Sequence, residues 1–342
     1  MRTYPCLCGQ TLFFENRFCG SCGRTAGWCD ACHRLTVPTD AGQCSYEDCR
    51  ANLSPCGDRI AYDVCNGFLA NEQAPDSSLC SSCQLTTDIP DATNPTAVAA
   101  WARLEAAKRR LLDELRTIGY SAERLSAEPP LRFRFLADTP REHVVTGHAD
   151  GVITVNLAET DPVKREVARQ RFREPQRTLI GHMRHEFGHF FWMREVEQAP
   201  ALGAFCEVFG DFERPPYAEA LDQYHENGPP KDWQTRYISR YAAAHPWEDF
   251  AETFGFYLDM RAVLDTLAWQ IPHLVPSTMQ SLAAVLSAYQ RAGVLLNEVN
   301  RTMGLSDLVP EVVSPPVVAK LDFVHGLVQQ AAAAAGVRAL AG

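Results

Sequence analysis

Twelve of the thirteen cysteines in this 342-residue chain fall within residues 1–83, and they come in close pairs. Cys6-x-Cys8 is followed by Cys19-x-x-Cys22, Cys29-x-x-Cys32 by Cys44-x4-Cys49, and Cys56-x8-Cys65 by Cys80-x-x-Cys83. Paired thiols at such spacing in a reducing compartment read as metal ligands rather than disulfides. Twelve thiolates divide into three tetrahedral zinc sites with none left over. The glycines in Cys8-Gly9 and Cys22-Gly23 suit tight knuckles that turn backbone N–H groups toward sulfur. A stretch with so few aromatic residues cannot build three cores, so metal binding is expected to supply the folding free energy, on the order of 10 kcal/mol or more per site. Consecutive ribbon-like sites are expected, although the spacing leaves open a cross-braced pairing in which the first and third pairs share a metal. His33 could stand in for a thiolate, but the cysteine count is already complete.

Charge narrows the role of this array. The whole chain carries a net charge of −10, and residues 1–83 hold six Arg and no Lys against nine Asp and Glu. Zinc tetrathiolates add further negative charge, so phosphate is repelled. Nucleic acid is therefore not the expected partner, and a protein docking on the ribbons is. No run of 18 apolar residues spans a membrane. The opening MRTYPCLCGQ lacks an apolar signal core, so a cytoplasmic location is expected.

Beyond the cysteines, residues 84–96 (QLTTDIPDATNPT) read as a linker, rich in prolines, aspartates and turn-forming residues. The remainder, 97–342, reads as one catalytic domain of mainly helical α+β type. Residues 97–119 have helical apolar spacing with Gly119 as a stop, and 131–136 and 151–159 read as strands. Helical patterns return at 175–198 and at 233–270, the latter interrupted at Pro246. Residues 200–235 mix loop and short helix, and 275–342 carry two or three more helices. Cys206 is expected to be buried.

The chemistry concentrates in HMRHEFGHFFW (182–192), which contains His185-Glu186-Phe187-Gly188-His189. On a helix, positions i and i+4 share one face, so both imidazoles can reach one zinc while Glu186 sits beside it as general base. His182, one turn earlier, reads as a core or supporting histidine. A third histidine in the same helix is ruled out, because Trp192 and Glu195 occupy the positions that longer motifs require. Downstream, HPWEDFAETF offers Glu248 and Glu252 one turn apart on a helix that starts at Pro246. Glu248 is expected as third ligand and Glu252 as the carboxylate holding a ligand histidine through its other N–H. The swap of these two stays open, as do Asp211 and Glu207. Tyr241, seven residues before Glu248, could donate to an oxyanion on a substrate carbonyl.

HEFGH followed by Tyr241-x6-Glu248-x3-Glu252 resembles the gluzincin peptidases, among them anthrax lethal factor and the Pro-Pro endopeptidases. That resemblance implies Glu248 as third zinc ligand and Tyr241 facing the substrate. The Cys quartets, TDIPD, TGHADGVITVNLAE, PQRTLIGHMRHEFGHFFW, FGDFE and AHPWEDFAETF further resemble a bacterial family of zinc-binding metallopeptidases with an N-terminal zinc ribbon. It implies a zincin-like catalytic domain: a small sheet, the HExxH helix and a helical C-terminal subdomain. The expected activity is zinc-dependent hydrolysis of a protein or peptide substrate, with one catalytic and about three structural Zn2+ on this ligand count. A strand at 151–157 lying at a sheet edge would pair with an extended substrate. Two other readings compete: a zinc-ribbon binding scaffold without turnover, and a zinc hydrolase acting on an isopeptide or modified side chain.

Overall fold

The computed structural model describes residues 1–71, 75, 77–163, 165, 178–275, 279–334 and 336. The fold is mostly helical α+β, with small sheets and three zinc-ribbon-like cysteine clusters at its N-terminal end. Two compact units are present. One comprises Met1–Leu112, Leu131–Gly147 and Val152–Lys164, and the other Asp113–Pro130, His148–Gly151 and Arg165–Gly342.

In the first unit, β1 (Tyr4–Pro5) and β2 (Thr11–Leu12) form an antiparallel hairpin. A second sheet has the order β4-β3-β6-β5, from β3 (Gly27–Cys29), β4 (Leu35–Thr36), β5 (Ser54–Pro55) and β6 (Gly67–Leu69). Helix α1 (Gly57–Tyr62) lies between β5 and β6. The strands are only two or three residues long, too short to hold by themselves. A small cluster of Tyr4, Leu12, Ala26, Leu35 and Val37, with Trp28 packed against it, is the apolar support beside the cysteines.

Part of the segment read as a linker is strand. β7 (Thr86–Asp88) pairs in parallel with β8 (Arg132–Leu136), since the β-branched Thr86 and Thr87 suit a strand as readily as a turn. β10 (Val152–Asn156) pairs in parallel with β8 on its other side. With β9 (Gly147–Ala149) the sheet order is β7-β8-β10-β9. β10 is thus an interior strand, which settles a question that its alternating pattern left open, because the TGHA stretch just upstream itself forms a strand. Helix α2 (Pro95–Thr117) begins where the Asn94 side chain accepts from Thr96 and Ala97 N–H. Its buried face carries an ion pair, Lys108 to Glu105 at 2.8 Å, with both side chains wholly enclosed. Thr86 Oγ1 donates to Glu105 and accepts from Lys108, and the Trp101 indole donates to Glu105, so the polar atoms are paired as burial demands.

The second unit contains α3 (Ala122–Ser126), α4 (Leu179–Trp192), α5 (Leu202–Phe209), α6 (Tyr217–Asn227), α7 (Pro246–Gln270), α8 (Leu282–Thr302) and α9 (Pro315–Ala334). Thr178 caps α4 by accepting from Gly181 N–H, and a π-turn at Met193–Glu197 closes it. Residues 175–177, within the helix expected from 175, lie outside the described residues. The helix expected over 233–270 is instead two 3-10 turns, Trp233–Thr235 and Tyr241–Ala243, followed by α7. Pro246 explains this: it forces His245 into extended backbone (φ −162°, ψ 150°), and His245 then caps α7 by accepting from Trp247 N–H.

α4 and α7 cross face to face over Phe187, Phe191, Phe250 and Phe254, all fully buried. Gly188 sits at the crossing, where a Cβ would stand 2.8 Å from the Ala251 Cα. That approach brings the stripe Glu248–Ala251–Glu252–Gly255 of α7 against the histidine face of α4. Gly188→Val is therefore expected to destabilise the protein by about 1–3 kcal/mol through overpacking. A thermal melt checks it, and an unchanged midpoint would show that the crossing is loose. Buried charges around the crossing are paired. Arg184 binds Glu114 at 2.6 Å and also Asp259. Lys320 of α9 holds Asp249, the neighbour of Glu248, at 2.6 Å. Cys206 is half-buried rather than buried, because α5 turns Phe205 and Phe209 inward and leaves Cys206 one position off that stripe.

Candidate metal centres

The cysteines gather as consecutive quartets: Cys6, Cys8, Cys19 and Cys22; Cys29, Cys32, Cys44 and Cys49; Cys56, Cys65, Cys80 and Cys83. The cross-braced pairing does not occur, and His33 is outside the second quartet. Sulfur–sulfur separations are 3.7 Å for Cys6–Cys22 and Cys8–Cys19, 3.8 Å for Cys29–Cys49 and Cys32–Cys44, and 3.6 Å for Cys65–Cys80. Disulfide sulfurs lie about 2.0 Å apart. A tetrahedral zinc with thiolates at about 2.3 Å sets its sulfurs about 3.8 Å apart. The observed spacing matches zinc. Gly9 and Gly23 adopt φ of 84° and 70° and donate to the Cys6 and Cys19 carbonyls, which makes the knuckles turn. The third quartet is the most enclosed. There hydrogen bonding with Cys56 pulls the Cys65 thiol well below the ordinary range and pushes Cys80 well above it.

The fourth cluster joins α4 to α7. His185 Nε2 and His189 Nε2 are 3.1 Å apart, and Glu248 Oε2 stands 3.1 Å from the first and 3.4 Å from the second. Oε2 is buried and makes no hydrogen bond at these angles. Three electron-pair donors thus turn toward one point. A tetrahedral zinc with nitrogen and oxygen ligands at about 2.0–2.1 Å separates them by about 3.3 Å, so this donor set fits it. Burial alone would raise the Glu248 carboxyl, yet the imidazoles facing it hold it well below the usual carboxylate range.

Glu252 Oε1 lies 2.7 Å from His185 Nδ1, which assigns the Nδ1 proton to that contact and leaves the Nε2 lone pair for the cluster. Trp247 packs on the His189 ring at 3.9 Å between centroids. Glu186 is buried, with Oε2 unpartnered. Tyr241 lies 5.9 Å from the His185 ring. Burial raises its phenol above the ordinary value, helped by the charge of Glu248. His182 is outside the cluster, as are Glu207 and Asp211, both exposed. Tyr217 is the residue that sequence reasoning missed: its hydroxyl donates to Glu248 Oε1 at 2.5 Å. No motif flags it, since it lies 31 residues before Glu248.

Residues 97–327 match the family model described as "Putative zinc-binding metallo-peptidase". The chain belongs to this metallopeptidase family. Its N-terminal residues 3–94 match a zinc-ribbon domain model. Members similar over nearly the full length include uncharacterized proteins of Mycobacterium bovis and Mycobacterium tuberculosis. Each is 39% identical, across 97% of this chain and 96% of the relative. No solved structure matches this metallopeptidase-family chain. Among its described residues no helix is long and apolar enough to cross a membrane.

Proposed function

We propose that the chain is a gluzincin-type peptidase that hydrolyses peptide bonds in a protein or peptide substrate. The observation that carries this is the convergence of His185 Nε2, His189 Nε2 and Glu248 Oε2 beside a buried Glu186 whose Oε2 has no partner. These three residues would hold one zinc, with the twelve cysteines holding three more. The bound zinc supplies a water of near-neutral pKa and polarises the scissile carbonyl. Glu186 then accepts the proton of the attacking water and hands it to the leaving amine. Glu252 keeps His185 oriented, and Tyr241 donates to the oxyanion developing on the substrate.

In this reading residues 97–342 are the catalytic domain, 84–96 the connection, and the acidic ribbon array of 1–83 a docking module for a protein partner. Twelve reduced thiolates call for the cytoplasm as working compartment. Elemental analysis of the purified full chain is expected to give about four zinc per chain on this ligand count. Incubation with a proteome-derived peptide mixture should generate new termini that disappear on chelation. Three zinc and no new termini would overturn the peptidase reading.

A further inference from the structure

Tyr217 opens α6, and its ring is wedged edge-on against His245 and Trp247, each at 5.2 Å between centroids. A phenol has one proton to give. That proton goes to Glu248 Oε1 at 2.5 Å. The other oxygen of the same carboxylate, Oε2, faces both imidazoles. The two oxygens of Glu248 therefore have different tasks, and the side chain that separates them is Tyr217.

We propose that Tyr217 is a positioning residue for the metal centre: by binding Oε1 it makes Glu248 present a single oxygen, Oε2, to the ion. The inference rests on the zinc site proposed above. A carboxylate has one free torsion that exchanges its oxygens, so a fixed donor to Oε1 sets which oxygen faces the imidazoles. The phenol is that donor, and the indole and imidazole on either side fix the phenol. One oxygen per carboxylate also keeps the protein ligands at three, which leaves the fourth position of a catalytic site open. Partners that orient a ligand in this way typically affect metal affinity by about 10–100-fold.

The test compares wild type, Tyr217→Phe and Tyr241→Phe as full-length proteins by zinc titration against a competing chromophoric chelator, with thermal melts in parallel. Phenylalanine retains the ring that packs on His245 and Trp247, so the melts should coincide. Tyr217→Phe is expected to weaken the non-thiolate zinc by about 10–100-fold. Tyr241→Phe should leave it near the wild-type value, since the phenol that binds Glu248 Oε1 is that of Tyr217. Equal affinity in wild type and Tyr217→Phe would overturn the inference while leaving the peptidase reading intact. Equal weakening in the two variants would also overturn it, by showing that the pair acts only as packing. A wild type that binds zinc through thiolates alone would sink both.

Discussion

Replacing Glu186 by Gln is expected to lower kcat/KM for peptide hydrolysis by about 10²–10⁴-fold, the usual contribution of a positioned general base. Zinc content should stay at the wild-type value. The reasoning is geometric. Glu186 is in the same helical turn as His185, but it is not one of the three converging donors. Its Oε2 is buried without a partner, a costly arrangement unless a proton-bearing group occupies the space during turnover. Glutamine keeps the shape and the hydrogen-bonding capacity but cannot accept a proton to become neutral. Activity within a few fold of wild type would remove Glu186 from the mechanism. Loss of zinc along with activity would instead make it a structural support of the site.

The second large effect is expected at the ribbons. Cys80→Ser should release one zinc per chain and unfold the segment around the third quartet, read as new protease cleavage between Ser54 and Cys83. Cys56, Cys65, Cys80 and Cys83 are all buried and form a core cluster of that segment, with Leu69 and Leu79 packed on them among the described residues. Two strands of two and three residues and a six-residue helix cannot offset the entropy of ordering some thirty residues. Structural zinc in comparable small modules contributes on the order of 10–16 kcal/mol. A serine hydroxyl is a poor replacement for a thiolate, so most of that stabilisation should vanish at this site. Retention of the full zinc count with an unchanged cleavage pattern would mean that the quartet is held by packing alone.

How far these features were legible beforehand depends on how local they are. The cysteine pairs and the HExxH turn are set by spacing of a few residues, and short spacing on a knuckle or a helix turn leaves little geometric freedom. The start of α7 was legible for the same reason, since Pro246 dictates the backbone on both sides of itself. Where local signals conflict, the reading failed. Residues 233–245 have helix-compatible composition but contain 3-10 turns instead, with the Arg236 carbonyl accepting from Lys320 Nζ rather than continuing a helix and Pro246 holding His245 in extended backbone. Thr86–Asp88 resembled a turn, and the availability of β8 beside it made it a strand.

From its order of residues alone, this chain determined four clusters of metal-ligating side chains and the helix that carries two of the imidazoles. Ligand types and their spacing along one element are properties of the covalent chain. The tertiary fold decided how the twelve cysteines partition, which oxygen of Glu248 meets the imidazoles, and that Tyr217 holds the other one. The last two of these depend on the close crossing of α4 and α7 at Gly188 and on Tyr217 of α6 reaching Glu248. A crossing distance is the balance of packing across both helices, and no single segment of sequence contains both sides of that balance.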